Sequence, residues 1–176
     1  MGCFSTIWNT SLSGVSSSNQ IFLPFESAGF YNCTVFWGDG TFDIITEWNQ
    51  FETTHTYISS GIYTVNITGT LIGWKFNDDY SNGWQTDCTK LIEIRNWGNL
   101  NLGNSGGYFY GCENLNITAN DSLNLTGTIN LANTFRNCLS ISTIPNLEFW
   151  DVSCVTDMSL TFYGANSFNQ NLSAWD

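Results

Sequence analysis

Basic residues are scarce in this sequence. Four Lys and Arg stand against fifteen Asp and Glu, giving a formal net charge of -11. A chain this acidic cannot neutralise a run of phosphates, which excludes nucleic-acid binding by that route, and its surface repels anionic headgroups. It lacks any apolar run of the roughly 18 residues that a membrane span needs, so no membrane insertion is expected. The start, "MGCFSTIWNT", has neither the basic region nor the apolar core of a signal peptide, so a secreted form is expected to have had its targeting segment removed. Histidine occurs once, and a Ser-His or Cys-His nucleophile would have to use His55. No CxxC is present, the glycine-rich "GNSGGYFYG" is not followed by a Lys, and no pair among the fifteen acids is distinguished by its setting. No catalytic residues are expected.

Aromatic residues make up 16% of the chain, and Asn, Ser, Thr and Gly fill the positions that Ala, Lys and Glu take in helical proteins. Strands and turns are the expected local structure. The length suits two small modules, each of roughly 80 to 100 residues and near the lower limit for a self-sufficient core. Residues 1–95 are expected to form one and residues 96–176 the other. In the first, short strand candidates recur with turn signals between them: "STIWNT", "QIFLPF", "YNCTVFW", "FDIITEW", "THTYI", "YTVNITGTL" and "KLIEI". Seven short strands in so few residues imply a β-sandwich.

The sharpest motif in this half is Trp37-Gly38-Asp39-Gly40, followed by His55, Tyr57 and the run Gly61-Ile62-Tyr63-Thr64-Val65. Gly38 and Gly40 supply backbone conformations other residues resist, and Asp39 can bond the turn amides. His55 and Tyr57 are expected to pack against that turn, so turn architecture is the expected role of Asp39 and His55, with a catalytic or metal role the alternative. This stretch resembles the PKD domain, which implies an immunoglobulin-like sandwich over about 90 residues.

After Trp97 an internal repeat begins. "FYGCENL", "FRNCLSI" and "FYGANSF" align, placing Phe109, Phe135 and Phe162 in one column and Leu115, Ile141 and Phe168 in another. Trp97, Leu123 and Trp150 lie twelve residues before each Phe, and Trp175 occupies the same place in a fourth cycle. Such a period implies a leucine-rich-repeat-like solenoid of about three repeats, one short strand and a turn or short helix per cycle. "FWDVSCVTDMSLTFYGANSFNQNLSAWD" resembles the BspA-like leucine-rich repeat surface proteins, which implies surface adhesion. No Pro-rich or charged linker separates the halves, so the sandwich is expected to cap the solenoid. Trp175-Asp176 reads as the opening of another unit, and the carboxyl end, with Phe168, Leu172 and Trp175, is expected to be open and to contact protein.

Six cysteines and seven Asn-x-Ser/Thr sequons, at Asn9, Asn32, Asn66, Asn116, Asn120, Asn124 and Asn171, suit an oxidising, extracellular setting. Asn32 and Asn66 fall on the solvent face of alternating strands. Cys112 and Cys138 share a column, where stacking brings backbones to roughly 5 Å, and a disulfide between them is expected. One further bond is expected among Cys3, Cys33 and Cys88. "MGCFST" also fits the myristoylation pattern, which conflicts with that setting. No cofactor is expected; the loop from Asn77 to Asp87, with Asp78, Asp79, Ser81 and Asn82, is a weak Ca²⁺ candidate that lacks the spacing and the bidentate Glu of an EF-hand.

The expected function is a non-enzymatic extracellular or cell-surface protein, structural or adhesive. Its expected partners are other subunits, with head-to-tail assembly into a fibre as one outcome. The alternative is a carbohydrate-binding module, cut from a larger hydrolase, using Trp48, Trp74 or Trp84, the tryptophans without an evident core position.

Overall fold

A computed structural model provides the coordinates, and the structure describes residues 2–76 and 86–175. It is mainly β: among the described residues there is no α-helix, and the helical turns are three-residue 3-10 segments. All seven strand candidates form: β1 (Phe4–Asn9), β2 (Gln20–Phe22), β3 (Phe30–Phe36), β4 (Phe42–Ile45), β5 (Thr54–Thr56), β6 (Ile62–Ile72) and β7 (Leu91–Asn96). Alternation explains them. In β3, Tyr31, Cys33 and Val35 are buried while Phe30, Asn32 and Phe36 are exposed.

The larger sheet runs β4-β3-β6-β1-β7 and is antiparallel to that point. Two short strands from beyond Trp97 then join it in parallel: β8 (Leu100–Asn101) on β6 and β9 (Asn116–Ile117) on β7. The sheet thus runs without a break from the first half into the second. β2 and β5 form a separate two-stranded sheet. Trp74, left without a place by the sequence, is fully buried among Phe4, Trp8, Phe25 and Phe76, with ring centroids 5.0 to 6.5 Å away. Phe76 in turn meets Phe109 at 6.5 Å, which makes one aromatic core of both halves.

A buried ion pair holds the segment between β1 and β2. The ammonium of Lys90 donates to the carbonyls of Ser16, Ser17 and Gln20, and Asp87 lies 3.5 Å from it, both side chains wholly removed from solvent. Asp87 accepts from the amides of Ser16 and Phe22 and from the Ser16 hydroxyl. It is therefore committed to folding, which corrects its place among the Ca²⁺ ligands; Asn77, Asp78, Asp79, Ser81 and Asn82 lie outside the described residues. Burial lowers the pKa of Lys90, and Asp87 opposes that shift.

Candidate functional site

From Gly107 to Gly164 the chain makes three turns that lie on one another. Amides of the first, at Gly107, Phe109 and Gly111, donate to the carbonyls of Ala132, Thr134 and Arg136 at 2.8 to 2.9 Å. Amides of the second, at Leu131, Asn133, Phe135 and Asn137, donate to Asp157, Ser159, Thr161 and Tyr163 at 2.7 to 2.9 Å. The carbonyl of Tyr108 accepts from Phe76, so the first half covers the near end of the stack.

The rings follow. Phe109 and Phe135 are parallel at 5.5 Å, Phe135 and Phe162 are stacked at 5.5 Å, and Phe168 lies over Phe162 at 4.0 Å. Trp97 meets Trp150 edge-on at 5.5 Å, and Trp150 stacks on Trp175 at 6.1 Å. On the opposite side, the guanidinium of Arg136 lies 5.2 Å from the rings of both Tyr110 and Tyr163, a cation held between two aromatic faces.

Regular strand is shorter here than the repeat implied, because each turn carries a pair of left-handed residues four positions apart: Gly107 and Gly111, Asn133 and Asn137, Leu160 and Gly164. Extended structure cannot run through them. Glycine and asparagine adopt this region readily, whereas a leucine there is strained. Leu160, with φ +57° and about half exposed, is the exception in the pattern.

The outer face of the third turn is covered only in part, with Phe168 over the ring of Phe162. Met158, Leu160, Phe162, Leu172 and Trp175 line an apolar groove of about 350 Å³ there. Met158, Leu160, Phe162 and Gly164 occupy the places of the amide donors Leu131, Asn133, Phe135 and Asn137, and among the described residues their amides have no acceptor.

Cys112 and Cys138 share the interior of the stack, but as free thiols, as are Cys3, Cys33, Cys88 and Cys154. The bridges expected among them are corrected accordingly. The thiol of Cys138 turns to the carbonyl of Phe109 at 3.0 Å instead, and Ala165 fills the next position. Burial raises the pKa of Cys112 and Cys138, which keeps them protonated and unreactive.

The WGDG turn is closed by its own side chains. Gly38 (φ +84°) passes so close to β6 that a Cβ would come 2.4 Å from the Thr64 carbonyl oxygen. Asp39 accepts from the amide and hydroxyl of Thr41 and lies 2.8 Å from Nε2 of His55. His55 stacks on Trp37 at 4.7 Å, Tyr57 donates to the Trp37 carbonyl, and the Trp37 indole donates to Asp43 at 2.7 Å. Desolvation would raise the Asp39 pKa, but the hydrogen bonds from Thr41 and His55 outweigh it and hold it at about 2, below the ordinary 3.8. The carboxylate's contribution to stability is therefore present above that ordinary value and lost as pH falls through about 2. An NMR titration should give that midpoint, and Thr41→Val should raise it.

Of the sequon asparagines, Asn32, Asn116, Asn120, Asn124 and Asn171 are exposed, while Asn9 and Asn66 are half-buried. Among the tryptophans offered for sugar stacking, Trp74 is unavailable because it lies in the core, Trp48 is exposed, and Trp84 lies outside the described residues. No described helix is long and apolar enough to cross a membrane.

Residues 81–176, which include every turn of the stack, match the family described as Mycoplasma protein of unknown function, DUF285. The match covers 96 of 176 residues. The chain belongs to the DUF285 family. No curated protein and no solved structure matches it. The DUF285 span begins before β7 and contains both columns of rings, so the part of the sequence resembling BspA-like surface repeats lies wholly inside it. DUF285 membership is compatible with a surface protein.

Proposed function

We propose that the protein is a non-enzymatic surface protein, structural or adhesive, that works through contacts with other proteins. In this reading a PKD-like sandwich caps the near end of a leucine-rich-repeat-like solenoid, and the far end is a contact face. The observation that carries it is the third turn, with its apolar groove beside a row of amides that have no acceptor among the described residues. Such a face gains by being covered with polypeptide, which supplies both carbonyls and apolar surface. The five exposed sequons suit an extracellular setting. Head-to-tail association of copies is the specific form proposed.

Leu160 provides the test. Asparagine, already used at the matching position 133, relieves the left-handed strain and removes apolar surface from the groove. Leu160→Asn should raise stability by about 1 kcal/mol in thermal unfolding, yet weaken concentration-dependent association in sedimentation velocity. A wild-type chain that stays monomeric at every accessible concentration would overturn self-association.

A further inference from the structure

A second cleft, of about 400 Å³, opens far from the stacked turns, where the free edge of the larger sheet meets that of the smaller one. Gln20 on β2, Asp43 on β4, the 3-10 residues Phe51 and Glu52, and Thr54, His55 and Thr56 on β5 line it. The main chain favours an extended occupant. Tyr57 donates to Asn19 and Leu23 to Thr53, so by antiparallel alternation His55 turns its amide and carbonyl toward β2 while Thr54 and Thr56 turn theirs away. The opposite edge is partly closed, since Gln50 accepts from the amides of Thr46 and Glu47 and donates to the Ile44 carbonyl. On β5 the Thr54 amide is already bonded to the Phe51 carbonyl, which leaves the Thr54 carbonyl and the amide and carbonyl of Thr56 for a strand to join.

The side chains specify charge. Asp43 gives one oxygen to the Trp37 indole, and Glu52 gives one to Gln50 at 3.5 Å; the second oxygen of each has no hydrogen bond among the described residues. No described cation pairs with either. Of the chain's four basic residues, Lys90 is buried against Asp87, Arg95 pairs with Glu93, Arg136 lies between tyrosines, and Lys75 lies near Gly107. His55 also lines the cleft, but its Nε2 is taken up by Asp39, so a further positive charge for this cleft must come from another molecule. The Phe51 ring, 89% exposed at its rim, offers that charge an aromatic face.

We propose that this cleft receives an extended basic segment of a partner protein, its main chain along β5 and one Lys or Arg side chain between Asp43 and Glu52 beside Phe51. The proposal rests on the protein-contact reading above, but on a different surface from the stacked turns. Fluorescence anisotropy of a labelled peptide of alternating lysine and threonine, at low ionic strength, tests it. Asp43→Asn and Glu52→Gln should each weaken binding about tenfold, whereas Asp151→Asn, on an exposed acid of the repeat half, should change it less than about twofold. Leu160→Asn should leave peptide binding intact, which separates this site from the groove. Thermal melts establish that each variant folds. Absence of binding by the wild type, equal weakening by Asp151→Asn, or displacement of the peptide by a neutral oligosaccharide would each overturn the proposal.

Discussion

Phe135→Ala is expected to destabilise the protein by about 3–5 kcal/mol, the range for truncating a fully buried aromatic. Phe135 has no exposed surface and is the middle ring of three, parallel to Phe109 on one side and stacked on Phe162 on the other, with Trp150 at 6.3 Å. Its removal opens a gap that neither neighbour can close, because each is fixed by main-chain bonds to the turn it belongs to. Against a typical total stability of about 5–15 kcal/mol this is a large fraction. Phe162→Ala, at a half-buried position, should cost less. Urea unfolding followed by tryptophan fluorescence measures both, and a shift below about 1 kcal/mol for Phe135→Ala would show that the stack does not bear on stability.

Asp87→Ala is expected to cost about 3–5 kcal/mol, because it leaves the buried ammonium of Lys90 without its counter-ion. The damage should have a location. Ser16 and Phe22 lose the acceptor of their amides, so hydrogen exchange at those two positions should accelerate more than in the centre of β6. In many buried pairs, replacing both charges with apolar groups restores stability. Here it should not, since the pair also bonds main chain that apolar side chains would leave without partners: the amides of Ser16 and Phe22, which donate to Asp87, and the Ser16 carbonyl, which accepts from Lys90. Lys90→Met combined with Asp87→Leu should therefore remain far below wild type in thermal unfolding.

These two cases mark how far the sequence could be read. The strands of the first half were legible because their information is local: in "YNCTVFW" the alternation that directs Cys33 and Val35 inward lies within seven residues. The Phe109, Phe135 and Phe162 column was legible for a related reason, since a repeat shows its neighbours by alignment. Lys90 was not. Its partners lie 70 to 74 residues earlier, and nothing in "CTKLIEI" distinguishes it from a solvated lysine. Trp74 was missed likewise, because its burial depends on rings from β1 and from the segment after β2. The thiol column was placed correctly but its bonding was not, because shared position fixes proximity and leaves open whether sulfur meets sulfur or a carbonyl.

The candidate surfaces divide in the same way. The groove residues Leu172 and Trp175 came from the repeat register. The cleft between the sheet edges came only from the fold, which gathers Asp43, Glu52 and Thr56 around an opening that no contiguous motif encodes.

Along the phenylalanine column the amides joining the turns point from the first toward the third, whereas Ser140 and Thr156, away from that column, donate back to Glu113 and Ile129. The column is therefore polar along its axis, with acceptors at the end beside Phe76 and donors at the end beside Trp175. Two copies related by a twofold axis through the donor end would set N–H against N–H. A self-contact that uses those amides must then be heterologous, and an interface of that kind gives a ring where its rotation closes and a filament where it does not.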